Sequence, residues 1–272
     1  MPESMQTSFT DTAAATEDAR QIILDAVQQF GFVAHRSPIE KNWLICPGAE
    51  RYHVDSVDGL GISFNGGKDC TVMLHLLKLV LDSYPNNRNN LPRIPCLFVT
   101  VSDQFPEVDE FVDRMALSYN LDVFRTSLSM KEGLEAYLKA YPKVKAVLVG
   151  TRRTDPYSSN LKPFDPTDNG WPECVRVHPI LDWSYTQIWD FLRSYSVDYC
   201  CLYDRGYTSL GGIHNTLPNP ALRKNNGEFD PAYKLLNGDL ERNGRIKRNP
   251  STPLCVNSTS AQSLDQTHEK SR

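Results

Sequence analysis

The sequence has 272 residues, of which 40% are apolar and 23% charged, and its formal net charge is −4. That is ordinary globular usage, enough for a sizeable core in one large α/β domain or a domain with an appendage. The acidic balance argues against a duplex nucleic-acid partner. No apolar run approaches the roughly 20 residues that span a bilayer, and Met1 to Glu17 contain no secretory apolar region.

Cysteines occur at 46, 70, 96, 174, 200, 201 and 255, without a C-x-x-C pair. This pattern points to reduced thiols and a cytoplasmic setting, and away from a zinc knuckle or a disulfide framework.

Residues 1–16 are small and polar and read as unstructured. From Thr16 to Phe30, the apolar positions Ile22, Ile23, Ala26, Val27 and Phe30 recur at helical spacing, and Gly31 offers a stop. Residues 34–56 read ambiguously, with room for a second short helix. Leu60 to Phe64 reads as a strand, followed by an apolar helix through Val80. Ile94 to Val101 forms a second strand, and Glu107 to Tyr119 a helix entered through Pro106. Leu121 to Phe124 is a third strand, Met130 to Tyr141 a third helix of this series, and Val144 to Val149 a fourth strand. The segment Thr151 to Glu173 is long and polar, as functional loops often are. Val175 to Ile180 reads as a fifth strand. Ser184 and Gln187 form a capping-box pattern before a helix carrying Ile188, Trp189, Phe191 and Leu192. Tyr203 to Pro220 is a loop, Asp230-Pro231 opens a last helix through Arg242, and the tail beyond Lys247 is polar.

Strands alternating with helices of about a dozen residues predict βαβ units. The expected fold is α/β, an open, mostly parallel sheet with helices on both faces and a C-terminal helical and loop extension. The expected divisions are an N-terminal helical region (1–56), an α/β core (57–183), a C-terminal subregion (184–246) and a tail (247–272).

Chemistry concentrates at Gly61-Ile62-Ser63-Phe64-Asn65-Gly66-Gly67-Lys68-Asp69. Glycines between an apolar strand and a helix start let the backbone turn sharply and approach a ligand closely. The free N–H groups and dipole of the helix start then attract phosphate, and Lys68 adds a full charge. The segment is not a G-x-x-x-x-G-K-[ST] loop, because Ile62 stands where the first glycine belongs and Asp69 replaces the hydroxyl residue. The plainer reading is a glycine turn that only caps a helix. The joint occurrence of strand, double glycine, lysine and acid favours phosphate. In an open α/β sheet ligands bind at the carboxyl ends of parallel strands, so Asp103 and Arg152 to Asp155 are expected to converge on the turn. Arg152 and Arg153 supply fork-shaped donors suited to phosphate. Asp155 can accept an imide N–H or assist a metal, or it can close an Asp-Pro turn against a neighbouring arginine. Trp171 can stack on a planar ring or pack in a lid, whereas Trp183 and Trp189 read as core.

The glycine turn resembles the PP-loop pyrophosphatase superfamily signature S-G-G-x-D-[ST], with Asn65 for the serine and Cys70 for the final hydroxyl residue. Three further segments narrow the likeness: Ser102 to Glu107, Gly150 to Pro156, and Gly206 to Gly212 followed by Asn215 and Leu217 to Pro220. With them, Gly61 to Arg245 resembles the fungal-type eukaryotic FAD synthetases, or FMN adenylyltransferases, which share a PAPS reductase-like, adenine-nucleotide hydrolase-like core. The resemblance implies Mg²⁺-dependent transfer of AMP from ATP to FMN, giving FAD and pyrophosphate. Core residues 57–183 would then bind ATP and residues 184–246 the flavin. It assigns ATP to Ser63, Phe64, Asn65, Gly66, Gly67, Lys68, Asp69 and Asp103. It assigns FMN to Arg153, Asp155, Trp171, Arg242 and Arg245, the last two in Glu241-Arg242-Asn243-Gly244-Arg245. Asn65, Asp69, Arg152 and Asp155 are the expected catalytic residues, and Asp69 or Asp155 the expected metal contact. No nucleic-acid or membrane partner is implied, and the expected state is a monomer. The alternatives are a PAPS or APS reductase, which would need a reactive cysteine for which only Cys255 is placed, and a non-catalytic flavin- or nucleotide-binding regulator.

Overall fold

In the computed structural model, residues 3–31, 57–84, 91–168 and 170–246 are described, with side chains from residue 11 onward. Strand β1 (Leu60–Ser63) lies inside a six-stranded sheet of order β3-β2-β1-β4-β6-β5. The other strands are β2 (Ile94–Val99), β3 (Leu121–Thr126), β4 (Ala146–Val149), β5 (Phe164–Pro166) and β6 (Val175–Val177). All neighbours pair in parallel except β5 with β6. β5 was hidden within the expected Thr151–Glu173 loop, since three residues carry no periodicity. Its Pro166 sits on the sheet edge, where a missing N–H costs no ladder bond.

The helices are α1 (Glu3–Ala26, continued by one π-helical turn, Val27–Gly31), α2 (Lys68–Asp82), α3 (Pro106–Ser118), α4 (Met130–Ala140) and α5 (Tyr185–Ser194). The chain leaves β1 toward β2 and β3, then jumps back across β1 to β4. Right-handed crossovers must therefore place α2 and α3 on one face and α4 on the other. Alternate strand residues follow that division. Ile62, Cys96, Phe98 and Leu148 join the large cluster with α1, α2, α3 and α5, while Leu97 and Val147 meet Leu134 and Tyr137 of α4. Gly61 faces Tyr137, and any side chain there would strike its ring and hydroxyl. The expected open parallel sheet with two covered faces is thus present. Trp183 and Trp189 are buried in the core as expected.

Two local expectations are corrected. Residues 3–16, expected to be unstructured, are helical, because α1 begins at Glu3, and Thr12 and Thr16 are buried with the Thr16 hydroxyl donating to the Thr12 carbonyl at 2.7 Å. The last helix, expected from Asp230 to Arg242, is instead a pair of 3₁₀ turns at Ala232–Lys234 and Gly238–Leu240. The Ala232 carbonyl accepts from the Leu235 N–H at 3.0 Å and from the Tyr185 hydroxyl at 2.8 Å. Asn237 turns its side chain onto the Asp239 N–H, the local competition that makes Asn a poor helix former. The readings of 34–56 and of the tail beyond Lys247 lie outside the described residues. The capping box is formed, with the Gln187 N–H donating to Ser184 Oγ at 3.2 Å and the Ser184 N–H to Gln187 Oε1 at 2.8 Å. A second box, Ser129 with Glu132, opens α4 and was not read from the sequence. No described helix is long and apolar enough to cross a membrane.

Burial, reinforced by Arg176, pushes the His178 imidazole down from 6.5 to about 4. A base whose folded pKa is depressed takes up protons preferentially when unfolded, so stability falls as pH drops from 6.5 toward 4. Urea unfolding across that window is expected to show this loss in the wild type and a smaller loss in His178→Phe. Equal slopes would remove His178 from the account.

Candidate active site

The turn after β1 is held by its own residues. Asn65 Oδ1 accepts the Gly67 N–H at 2.9 Å. Gly66 has φ +73°, and a Cβ there would also press Val108 of α3 at 3.0 Å. α2 begins at Lys68 without a side-chain cap from Gly67. The Lys68 N–H instead donates to the Tyr203 hydroxyl at 2.8 Å, from a 3₁₀ turn at Cys201–Arg205. Cys70 packs against Gly150, where any Cβ would fall 2.9 Å from the thiol sulfur. Burial pushes that thiol up to about 12, so it stays protonated at neutral pH.

Four charges close a buried ring behind the turn. Lys68 Nζ donates to Asp69 Oδ2 at 3.0 Å and to Glu241 Oε1. Arg152 Nη2 donates to Glu241 Oε2 at 2.5 Å, and its Nε lies 2.6 Å from Asp69 Oδ1, an ion pair without hydrogen-bond alignment. The Lys68 and Arg152 side chains are each 2% exposed. Cations so buried are costly unless paired and hydrogen-bonded, and here each faces both carboxylates. Burial alone would raise the Asp69 pKa, but Lys68 and Arg152 outweigh it and hold the carboxyl below its ordinary 3.8. The rings of Tyr185 and Tyr203 lie 5.3 and 6.0 Å from Lys68 Nζ.

On the other side of the turn, Asp155 Oδ2 accepts the Arg152 N–H at 3.0 Å and Oδ1 accepts Arg242 Nη1 at 3.3 Å. Arg245 Nη1 donates to the Leu210 carbonyl, and its guanidinium lies so flat over Gly211 that a Cβ would overlap it. Asn219, fully buried, donates to Thr208 Oγ1 and the Leu240 carbonyl at 2.9 and 2.8 Å, while Thr208 Oγ1 donates to the Glu241 carbonyl at 2.6 Å. These bonds clip the 206–210 loop to the segment carrying Glu241, Arg242 and Arg245.

Together they enclose a cavity of about 280 Å³, lined by Asn65, Gly67 to Cys70, Gly150, Asp155, Tyr203, Ser209, Leu210, Glu241, Arg242 and Arg245. It lies between the ends of β1 and β4, where the chain reverses its direction of travel across the sheet, the expected ligand position in such folds. Of the anticipated residues, Asn65, Gly67, Lys68, Asp69, Asp155, Arg242 and Arg245 meet here, and Gly66 shapes the turn. Arg152 stands behind the cavity in the ring. Ser63 and Phe64 belong to the strand end beneath it, with Phe64 fully buried. Asp103 lies outside the lining and accepts the N–H groups of Ile213 and His214 at 2.7 and 3.2 Å. Arg153 pairs with Asp182 and donates to the Ser159 and Leu161 carbonyls. Trp171 is 40% exposed on its loop, also outside the lining. Tyr203 carries no chemical signal in the sequence, Ser209, Leu210 and Asn219 stand there only within the Gly206 to Gly212 and Leu217 to Pro220 segments, and Glu241 only as the first letter of an arginine motif.

Tyr203→Phe would orphan a buried helix-start N–H, at a cost of about 1–3 kcal/mol, while Asn65→Ala exposes the Gly67 N–H to water and costs less. Urea midpoints of the two variants check that order; equal losses contradict the capping role.

The chain matches the family model for the phosphoadenosine phosphosulfate reductase domain over residues 59–218. It is 48% identical over 188 residues to a probable FAD synthase of Schizosaccharomyces pombe, covering 68% of this chain and 71% of that one. It is 41% identical over 244 residues to a probable FAD synthase of Caenorhabditis briggsae, covering 88% of this chain but 45% of that longer protein. Its fold is similar to Candida glabrata FMN adenylyltransferase solved in complex with FMN and the ATP analog AMPCPP. That superposition has a TM-score of 0.73 at 26% identity, covering 88% of this chain and 91% of that one.

Proposed function

Because the chain belongs to the FAD synthase family, on a phosphoadenosine phosphosulfate reductase domain, we infer that it transfers AMP from ATP to the 5′-phosphate of FMN, giving FAD and pyrophosphate. One observation carries the chemistry: the glycine turn, Asp155, Arg242 and Arg245 line one cavity at the reversal point of the sheet.

A phosphate oxygen of FMN is already an anionic nucleophile, so the reaction requires no strong base. That oxygen forms a bond to the α-phosphorus as the bond from the α-phosphorus to the bridging oxygen breaks, and the electron pair leaves with pyrophosphate. The enzyme has to align the groups and stabilise the departing charge. The turn at Asn65 to Lys68 is the proposed cradle for the β- and γ-phosphates, with the α2 dipole facing them and the Lys68 ammonium held beside it by Asp69 and Glu241. Arg242 and Arg245 are the proposed partners of the FMN phosphate and of the α-phosphate, with Asp155 aiming Arg242. We assign residues 184–246 as the flavin-binding subregion. At about 280 Å³ the cavity is smaller than most ligand pockets, so it suits the phosphates better than two whole nucleotides.

Magnesium commonly arrives with nucleotide phosphates and takes only one or two carboxylates from the protein. Asp155 fits that use best, because its Oδ1 holds Arg242 at a long 3.3 Å, whereas both Asp69 oxygens are engaged by ring cations. When bound, the ion would neutralise charge on the triphosphate. A reducing compartment such as the cytoplasm suits the free thiols of Cys70, Cys96, Cys174, Cys200 and Cys201.

Purified protein with FMN and Mg-ATP is expected to yield FAD and pyrophosphate by chromatography, and no FAD would sink the reading. Arg242→Ala or Arg245→Ala should each lower kcat/KM by about 100-fold. Retention of wild-type rates by both would move the phosphate site elsewhere.

A further inference from the structure

Lys68 is the cation that the glycine-turn helix offers to a phosphate, yet its ammonium is already held by Asp69 and Glu241. Asp69 is its chain neighbour, whereas Glu241 comes from 173 residues away in sequence. Glu241 divides its carboxylate, one oxygen to Lys68 and one to Arg152. It also adjoins Arg242, which binds Asp155 across the cavity. An anion that draws Lys68 toward the cavity must therefore weaken the Lys68–Glu241 contact, and that contact reforms when the anion leaves. The structural reading of Glu241 is a staple that only holds the C-terminal segment in place.

We propose that Glu241 is a positioning residue for product release: its carboxylate competes with pyrophosphate for the Lys68 ammonium, so that the leaving group is stabilised during transfer and not retained afterward. The proposal rests on the adenylyl-transfer reading, in which pyrophosphate is the leaving group. Without the Glu241 charge, Lys68 and Arg152 share one carboxylate, and the excess buried positive charge favours an anion in the cavity. A staple predicts the reverse, with a loosened site that binds pyrophosphate more weakly.

The test measures inorganic pyrophosphate binding by calorimetry and its inhibition of FAD formation, for wild type and Glu241→Gln. The expected result is pyrophosphate bound about tenfold more tightly in the variant, a matching fall in the inhibition constant, and a lower kcat with no rise in the KM for ATP. Unchanged or weaker pyrophosphate binding overturns the proposal. If Glu241→Gln does not fold, Glu241→Asp, whose shorter carboxylate reaches less well, should tighten binding in the same direction, and no tightening overturns it equally. The double variant Lys68→Gln with Glu241→Gln should lose the gain; a gain that persists shows that Lys68 is not the contested cation and overturns the proposal. Failure of wild type to form FAD would count against the adenylyl-transfer reading, whereas the binding comparison bears on Glu241 alone.

Discussion

The buried ring of Lys68, Asp69, Arg152 and Glu241 is the interaction on which the rest of the site depends. It joins three stretches of chain: the start of α2, the loop after β4 and the segment beyond the last 3₁₀ turn. None of the four charges is stable alone at that depth, because desolvation would cost several kcal/mol for each unpaired ion. The ring therefore demands that all three segments arrive together. Once they do, Arg242 and Arg245 have fixed positions, since Arg242 follows Glu241 directly and Arg245 lies only three residues further on.

The sheet supplies the place for this assembly. Right-handed crossovers on both sides of β1 leave the ends of β1 and β4 facing a crevice that no crossover helix covers. Glycines then remove side chains wherever backbone or ligand must come close. Gly150 admits Cys70, and Gly211 admits the Arg245 guanidinium. Among the described residues, Cys70 is the only cysteine lining the cavity, and its thiol stays protonated. Among the described residues, the cavity therefore offers no thiolate of the kind a reductase would use.

Most of the fold was legible because periodicity reports burial. β1 and β2 read as apolar runs since both their faces are covered, and α5 announced itself through Ser184 and Gln187. β5 was too short to have a period. The Asp230–Arg242 stretch carried a Pro start and a plausible length, but Tyr185 and Asn237 took the backbone groups a helix would have used. At the site, the glycine turn and the paired arginines were legible as chemistry. Arg152 and Arg153 read alike in the sequence, yet Arg152 is buried against Asp69 and Glu241 while Asp182 holds Arg153 outside the cavity. Tyr203 was invisible because its role is set by a helix start 135 residues away. Long-range partners leave no local pattern.

That separation has a consequence for how the protein comes into being. Contacts this distant in sequence are the last for which loop-closure entropy can be recovered. The parallel strands, ending at Val177, can pair while the chain is being made, and the glycine turn can take its shape with them. Until Glu241 emerges, however, Lys68 and Arg152 share a single carboxylate, Asp69. The segment that closes the ring with Glu241 thus also carries Arg242 and Arg245 to the cavity, so the ring and the cavity's two arginines are completed together.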